Sequence, residues 1–331
     1  MLEHASIIYK IKEELGQARR VLVVAHQHPD GDGLGALSAL GLYLKAQSKE
    51  YRLFCVDQPG EAYNFLPLNH EITTNPEVFK DSFDAIIVVD SGDLKYAGIE
   101  QYLNKSNCGV LINIDHHVSN NQFGDVNLVL TGASSASEIV YQLFRAWQFP
   151  INKEVATALL NGIIFDTGVF SNSATTLSAL ETASHLLNLG ARAGEINANT
   201  LRNKSLGMLK LWGRAFERLD FNQQYNWAFT VLTQADFAEC GVAGEAGDGL
   251  TNFFNELAGV KVVLVLIELP DCLIKGSLRA TSEDVDLSEI AKRWGSPKFG
   301  GAGGGGHKKA AGFTIAGRLL YNEGRWQIIN N

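Results

Sequence analysis

The feature that most constrains the fold is a series of short apolar runs that alternate with helical patterns. The runs have the length of buried strands, and they occupy residues 21–25, 51–56, 85–89 and 110–114. Helical patterns lie at residues 36–45, 136–147, 153–161 and 177–189. Strands that alternate with helices predict a parallel sheet covered on both faces, and therefore an N-terminal α/β domain.

Acidic or imidazole side chains follow several apolar runs. His26 follows the first run, Asp90 the third, and Asp115 the fourth, while Asp166 follows a further apolar run at 162–165. Because ligands bind beyond the carboxyl ends of parallel strands, we expect these side chains to meet at one edge of the sheet. The expected cluster contains His26, Asp30, Asp32, Asp90, Asp115, His116, His117 and Asp166.

Carboxylates together with imidazoles suit Mn²⁺, and suit Mg²⁺ less well. Eight candidate ligands exceed the needs of one ion, whereas two ions that share a carboxylate would use the set well. Other interpretations stay open for single residues. Asp30 and Asp32 could form a polar turn with their neighbouring glycines, and Asp166 could cap a helix. Asp115 could orient a histidine rather than bind an ion, and His28 is expected to be a solvated turn residue.

The C-terminal part of the chain has a different pattern. The N-terminal α/β domain is predicted at 1–193 and a helical connector at 194–218, and a smaller α+β domain follows at 219–331. Predicted strands lie at 227–232, 260–269, 273–280 and 313–315, and the second and third of these form a hairpin. Predicted helices lie at 249–257 and 287–294.

A glycine-rich run at 300–306 precedes His307. Consecutive glycines allow successive N–H groups to point at one anion, and cationic side chains surround the run, which predicts a phosphate site. A flexible linker is the alternative. Arg279 is the candidate phosphate clamp, and a surface salt bridge to Glu283 or Asp284 is an equal alternative for it.

Composition limits the partners. A net charge of −8 argues against binding to long duplex nucleic acid but permits a small anionic substrate. Neither a signal peptide nor a membrane-spanning run is evident, and the four cysteines form no C-x-x-C pair, so we expect free thiols and a cytoplasmic protein that binds no membrane. The sequence leaves a homodimer open.

The motifs resemble those of a known family. The segment 26–32, Asp90, Asp115-His116-His117 and Asp166 are similar, in order, to the four metal motifs of the DHH phosphoesterases. The glycine run with His307 resembles the motif of the C-terminal domain in one branch of that family. Length and layout are most similar to the NrnA-type branch, whose members are oligoribonucleases (nanoRNases) and 3′-phosphoadenosine 5′-phosphate (pAp) phosphatases. Two departures are Gly35-Ala36 in place of Gly-Ser and a longer glycine run.

The resemblance implies a role for each site residue. One Mn²⁺ is expected on His26, Asp30 and Asp90, and a second on Asp32, Asp90, His116 and Asp166, with Asp90 shared. His117 is expected to face the scissile phosphate, and Asp115 to orient the histidines. The terminal phosphate of the substrate is expected on Arg279, Gly305, Gly306 and His307.

The implied enzyme is a Mn-dependent phosphodiesterase and phosphatase, a 3′-to-5′ oligoribonuclease-like hydrolase for nanoRNA and pAp. A hydroxide between the ions is expected to attack phosphorus, with the substrate in a cleft between the lobes. The same chemistry on linear dinucleotides from cyclic-dinucleotide turnover, or on polyphosphate, is the nearest alternative. A non-catalytic nucleotide-binding regulator is the alternative of a different class.

Overall fold

The computed structural model describes residues 4–104, 106–201, 205–243, 247, 249–254, 257–282, 284–306 and 308–329. The chain divides into two compact units, Met1–Asn203 and Lys204–Asn331. The predicted three-part division at residues 193 and 218 stays a prediction. Within the described part of the chain, no helix combines the length and apolar character that a membrane crossing requires.

Unit 1 is an α/β domain, as predicted. Its strands are β1 (Arg20–Ala25), β2 (Glu50–Phe54), β3 (Ile72–Thr73), β4 (Phe83–Val89), β5 (Cys108–Asp115) and β6 (Val126–Val129). Its helices are α1 (Ala5–Gln17), α2 (Gly31–Ala46), α3 (Ala136–Ala146), α4 (Lys153–Asp166), α5 (Leu177–Asn188) and α6 (Ala193–Ile196), which continues into a π-helical turn at Asn197–Leu201.

The strands of unit 1 form one parallel sheet in the order β3-β2-β1-β4-β5-β6. The helices pack on one face around side chains such as Val23 and Ile87. Irregular segments cover the other face, where Phe79 and Ile99 pack against Val88. Strand order reverses between β1 and β4, and such switch points are where open α/β sheets bind ligands.

Two glycines allow α2 and α4 to pack closely beside this switch point. A Cβ on Gly35 would lie 2.5 Å from the carbonyl oxygen of Ala158, and one on Gly162 would lie 2.4 Å from Asp32 Oδ1. Both distances are shorter than any real Cβ contact, so only glycine fits. This packing brings the C-terminal end of α4 beside the N-terminal end of α2.

Unit 2 is a smaller α+β domain. Its strands are β7 (Asp220–Asn222), β8 (Trp227–Leu232), β9 (Val262–Leu269), β10 (Leu273–Ala280), β11 (Gly301–Gly306), β12 (Ala310–Ala316), β13 (Arg318–Asn322) and β14 (Arg325–Ile329). Its helices are α7 (Leu206–Glu217), α8 (Gln234–Cys240), α9 (Leu250–Phe254) and α10 (Leu287–Trp294). The main sheet has the order β11-β12-β10-β9-β8-β7, and β9 and β10 form the predicted hairpin.

Three local predictions were wrong. The helix α2 begins at Gly31 and not at residue 36, so Asp32 lies in its first turn. Asp166 ends the helix α4 rather than a strand. The glycine run forms the edge strand β11, paired with β12, so it is neither a linker nor a continuous nest of N–H groups.

Candidate metal centre

The register of β1, β4 and β5 brings three predicted site residues, His26, Asp90 and Asp115, to the same edge of the sheet. Ala25 is paired with Val89, and Val89 with Ile114, so the residues after them leave the sheet side by side. The N–H of Asp90 donates to the carbonyl of Ile114 at 3.0 Å, and Asp90 has a left-handed φ of 55°. An aspartate tolerates this conformation better than most residues, at a cost of about 1–3 kcal/mol.

The first donor set consists of His26, Asp30 and Asp90, whose ligand atoms lie within 4.8 Å of one another. Nε2 of His26 is 3.4 Å from Asp90 Oδ2 and 3.7 Å from Asp30 Oδ1. The other ring nitrogen, Nδ1, lies 2.7 Å from the carbonyl oxygen of Gln27 and donates to it, which directs Nε2 into the site. Tyr96 stacks on the His26 ring, with 5.0 Å between centroids.

The second donor set consists of Asp32, His116 and Asp166, again within 4.8 Å of one another. Nε2 of His116 is 3.1 Å from Asp166 Oδ2 and 3.5 Å from Asp90 Oδ1. The two oxygens of Asp90 therefore face one histidine from each set. Both histidines and all four carboxylates of the expected two-ion site come together in this way.

Asp32 is fully buried and held by the start of α3. The N–H groups of Ala136 and Ser137 donate to its two carboxylate oxygens at 2.6 and 2.9 Å. Asp30 serves α2 as its N-cap, because its Oδ1 accepts from the N–H groups of Asp32 and Gly33. Two helix N-termini, both of which favour negative charge, thus fix these two carboxylates.

The site carries more negative charge than its histidines neutralise. Burial and the charges of Asp90 and Asp166 raise the pKa of Asp32 well above its usual value. Burial likewise raises the pKa of Asp166, to about 6. Burial alone would lower the pKa of the histidines, but the neighbouring carboxylates outweigh it and raise the pKa of His26 to about 12 and of His116 to about 11. For Asp90 the histidines outweigh burial and hold its pKa below the usual value.

The donor set fits divalent cations. Among the described residues, the buried atoms Asp90 Oδ1 and His116 Nε2 find no hydrogen-bond partner, although they are only 3.5 Å apart. Buried polar atoms normally have a partner, and an ion between such atoms would provide one. Carboxylate oxygens and imidazole nitrogens are both ligands of divalent metal ions.

His117 and Asp115 lie at the rim of this cluster, where Nδ1 of His117 is also 3.7 Å from Asp90 Oδ1. Nδ1 of His117 lies 2.8 Å from Oδ1 of Asp115, and Asp115 is completely buried. The His117 side chain is 41% exposed, so its Nε2 edge is accessible to a substrate. His28 points away from the cluster, since its side chain is 85% exposed and pairs with Asp57 at 3.1 Å.

A cavity of about 370 Å³ in unit 2 brings together three of the four predicted phosphate residues. Arg279, Gly305 and Gly306 line it, and Lys275 and Ser277 line it from the same face of β10. His307 lies outside the described residues. Asp284, proposed as an alternative partner of Arg279, lies 4.0 Å from Lys261, and Glu283 is outside the described residues.

Comparison with known families identifies both units. The profile of the DHH family, N-terminal domain, matches residues 20–163, and that of the DHHA1 domain matches residues 232–323. The two matches together cover more than half of the chain. The chain belongs to the DHH family. The candidate metal cluster lies in the DHH domain and its immediate continuation, and the residues that line the Arg279 cavity lie in the DHHA1 domain.

Relatives of this DHH protein include hydrolases of nucleotides. It is 28% identical over 299 residues to the bifunctional oligoribonuclease and PAP phosphatase NrnA of Thermus thermophilus, covering 90% of this chain and 84% of that protein. It is 27% identical to the cyclic-di-AMP phosphodiesterase PdeA of Listeria monocytogenes, covering 90% of this chain but 45% of PdeA.

A solved structure supports the fold. The exopolyphosphatase-related protein of Bacteroides fragilis matches with a TM-score of 0.85 at 24% identity, covering 93% of this chain and 90% of that one. At this level of identity the match establishes the fold alone.

Several residues of the DHH site escape prediction from the sequence. The N–H groups that hold Asp32 come from α3, more than 100 residues away, and carry no side-chain signal. Asn120 donates to Asp115, and Asn113 accepts from Asn120, yet both look like ordinary turn and strand residues in the sequence. The proximity of Asn120 to the DHH triplet is the one signal that could have drawn attention to it.

Proposed function

We propose that this protein is a metal-dependent phosphoesterase that hydrolyses short oligoribonucleotides and pAp. The observation that carries the proposal is the carboxylate of Asp90, whose oxygens lie 3.4 and 3.5 Å from histidines of two different donor sets. Such an arrangement suits two cations that share one ligand, and paired cations are the usual catalysts of phosphoester hydrolysis. The NrnA relative supports the choice of substrates.

In this proposal His26, Asp30 and Asp90 hold one Mn²⁺, and Asp32, Asp90, His116 and Asp166 hold the other. Bound cations would supply positive charge to the phosphoryl oxygens and lower the pKa of an attacking water. The protein residues supply the geometry: Asp90 sets the spacing, and the start of α3 keeps Asp32 in place. Because these groups are preorganised, little rearrangement accompanies the reaction.

We propose that His117 acts on the scissile phosphate. Its Nδ1–H donates to Asp115, so Nε2 is directed outward. When the ring is protonated to the imidazolium, Nε2 carries a second N–H, which can donate to a phosphoryl oxygen or transfer its proton to the leaving group. Asp115 acts by orienting this ring, and its low pKa supports that role. Burial would raise the pKa of Asp115, but hydrogen bonds from His117 and Asn120 outweigh burial and lower it.

In the DHHA1 domain we propose that Arg279, His307 and the N–H groups of Gly305 and Gly306 hold the terminal phosphate of the substrate. A guanidinium group can bind phosphate through two parallel hydrogen bonds. A grip on one end of the substrate favours short molecules, which agrees with the net charge of −8 and the absence of an extended basic character in the sequence.

A second candidate substrate is a linear dinucleotide of the kind produced from cyclic dinucleotides. The similarity to PdeA, named as a cyclic-di-AMP phosphodiesterase, favours it. The chemistry at the metal centre would be unchanged, and only the group held by the DHHA1 domain would differ.

The test is hydrolysis of five substrates with Mn²⁺ and with EDTA: pAp, a 5′-phosphorylated RNA dinucleotide of pyrimidines, the linear dinucleotide pApA, a 20-mer RNA (a length well beyond one binding site, ~4–16 nucleotides) and polyphosphate. We expect Mn²⁺-dependent turnover of pAp and the dinucleotides, slow cleavage of the 20-mer, and loss of activity in His117→Ala. Cleavage of polyphosphate alone would overturn the substrate assignment. Nucleotide binding without turnover of any substrate would instead identify a non-catalytic regulator.

A further inference from the structure

The side chain of Asn120 is committed to a set of specific hydrogen bonds beside the DHH triplet. Its Nδ2 group donates to Asp115 Oδ2 and to Asn113 Oδ1, each at 2.7 Å, and contacts the carbonyl of Ser91 at 3.3 Å. Its Oδ1 accepts from the N–H of Gln122 at 2.6 Å. Both ends of the amide are therefore used, and the amide orientation is fixed.

Asn120 completes the environment of the Asp115 carboxylate. Oδ1 of Asp115 contacts Nδ1 of His117 at 2.8 Å, and Oδ2 accepts from Asn120. Asp115 is completely buried, so a lost partner cannot be replaced by bulk water without rearrangement. A carboxylate held at both oxygens cannot rotate, and the plane of the His117 ring is set by it.

The turn that carries Asp90 is supported mainly by Asn113 and not by Asn120. Its Nδ2 group donates to the carbonyls of Ser91 at 3.1 Å and Val88 at 3.3 Å, and so braces the turn that carries Asp90. Asn120 has only a long contact with that turn, whereas its two short bonds reach Asp115 and Asn113. Loss of the Asn120 amide should therefore disturb His117 more than the metal ligands.

We propose that Asn120 is a positioning residue for the phosphoester hydrolysis: through Asp115 it fixes the ring orientation and the Nδ1–H tautomer of His117. The proposal rests on the role assigned to His117 in the proposed function. It also predicts that an amide is needed at this position. A carboxylate in Asn120→Asp would place an oxygen against Asp115 Oδ2 and Asn113 Oδ1, where a donor is required.

A matched control exists on the neighbouring strand. Asn127 of β6 is paired in register with Asn113, and its amide makes two bonds to the backbone of Gly124, at 2.9 and 2.7 Å. Asn127→Ala removes a comparable pair of asparagine hydrogen bonds from the same region without touching Asp115.

The experiment compares Asn120→Ala and Asn120→Asp with Asn127→Ala in three measurements. For both Asn120 variants we expect kcat for pAp to fall by about 10–100-fold, the usual effect of losing a supporting hydrogen bond at a metal site. We expect KM and the number of bound Mn²⁺ ions to stay unchanged. Asn127→Ala should keep wild-type kinetics. A fall in Mn²⁺ binding that accounts for the lost activity, or equal kinetics in the Asn120 and Asn127 variants, would overturn the proposal.

The third measurement does not depend on turnover. Imidazole ¹⁵N spectra of the metal-free protein at alkaline pH distinguish the two neutral tautomers, and the spectrum of His117→Ala identifies the His117 signals among the eight histidines. We expect the Nδ1–H tautomer in the wild type and in Asn127→Ala, and a mixture of tautomers in both Asn120 variants. An unchanged tautomer in Asn120→Asp would contradict the inference even if Asn120→Ala did not fold. If the wild type hydrolyses no phosphoester, the proposed function fails, whereas the spectra still decide whether Asn120 sets the His117 tautomer.

Discussion

At the scale of single residues, Asp90 is the group on which the site depends most. It is almost completely buried, has a left-handed backbone, and faces a histidine of each donor set. A carboxylate in this place is tolerated without an ion because the two histidines hold its pKa low against the effect of burial. In the proposed two-ion site, the same charge would be available to both ions.

We predict that Asp90→Asn weakens Mn²⁺ binding by more than about 100-fold at both sites. The amide keeps the shape of the side chain but loses its charge and one ligand oxygen, and even supporting residues of metal sites contribute about 10–100-fold. Isothermal titration calorimetry measures the effect. The control is His28→Ala, two residues from His26 but 85% exposed, which should bind Mn²⁺ as the wild type does. Two tight Mn²⁺ ions in Asp90→Asn would contradict the shared-ligand role.

The sequence predicts which residues cluster because the end of each strand determines where the residue after it lies. His26, Asp90 and Asp115 follow strands whose register is set by the parallel sheet, so their meeting follows from the fold class. The supporting contacts could not be predicted. The bond from Asn120 to Asp115 depends on the path of a loop, and no periodicity specifies that path.

At the scale of elements, the crossing of α2 and α4 determines whether Asp32 and Asp166 can meet. Gly162 lies at this crossing, and a Cβ there would be 2.4 Å from Asp32 Oδ1 and 2.0 Å from Ser137 Oγ. The position is helical, so the reason for glycine is space and not backbone conformation.

We predict that Gly162→Ala destabilises the protein by about 1–3 kcal/mol and abolishes tight Mn²⁺ binding at the second site, because the methyl group displaces Asp32. The matched control is Gly16→Ala in α1, where a Cβ would meet nothing within 4 Å. That change should stabilise the protein by about 0.5–1 kcal/mol, as alanine usually does in a helix. Thermal unfolding measures the stability of the two variants, and calorimetry measures their Mn²⁺ binding. Equal stability and equal Mn²⁺ binding in the two variants would exclude the steric explanation.

A second prediction at this scale concerns α7 and α8. Arg218, which ends α7, donates to Asp236 Oδ1 at 2.7 Å and makes a second bond to Oδ2, while Asp236 also forms a capping box with Thr233. Arg218→Ala should destabilise unit 2 by about 3 kcal/mol, since it leaves a buried carboxylate without its cation. Arg214→Ala, which removes an exposed pair with Glu239, should cost less than about 1 kcal/mol.

The stabilisation of unit 2 by the Arg218–Asp236 pair should decrease at acidic pH. Burial raises the pKa of Asp236, but the bonds from Arg218 and Thr233 outweigh burial and hold it below the usual 3.8. The stabilisation is therefore complete above that usual value and is lost as the pH falls through the lower folded-state pKa. Urea unfolding followed by tryptophan fluorescence should show this loss in the wild type and not in Asp236→Asn. A parallel loss in both would assign it to other acids.

The sequence predicts the helices and strands less accurately than it predicts the residues of the cluster. The strand pattern and the hairpin follow from apolar runs and turn residues, and both are correct. The run 162–165 is the end of a helix and not a strand. The sequence did not show this, because a four-residue apolar run does not distinguish helix from strand. The glycine run is a strand although glycine is unfavourable there. Gly304 has to be small, since a Cβ would lie 2.1 Å from the carbonyl oxygen of Ala291 in α10.

At the scale of the whole molecule, the proposed chemistry is divided between two domains. The DHH domain carries the candidate metal centre, and the DHHA1 domain carries a cavity lined by Arg279 and glycine backbone. Burial lowers the pKa of Arg279, but an arginine stays charged in proteins, so the cavity remains suited to phosphate.

We predict that Arg279→Ala raises KM for pAp by roughly 10–100-fold with a smaller change in kcat, because a charged hydrogen bond contributes about 1.5–3 kcal/mol. Arg325→Ala, which removes an exposed arginine from β14 of the same domain, should leave KM unchanged. Steady-state kinetics separate the two constants. A fall in kcat at constant KM would instead place Arg279 in the chemical step.

The central claim is that hydrolysis requires two ions on the Asp90 cluster. The direct measurement is a titration of metal-stripped protein with Mn²⁺, in which bound ions and phosphate release from pAp are recorded on the same samples. We predict that two ions bind per chain and that hydrolysis appears as the second one binds. Full hydrolysis with one bound ion per chain, or in the presence of EDTA, would contradict the two-ion account.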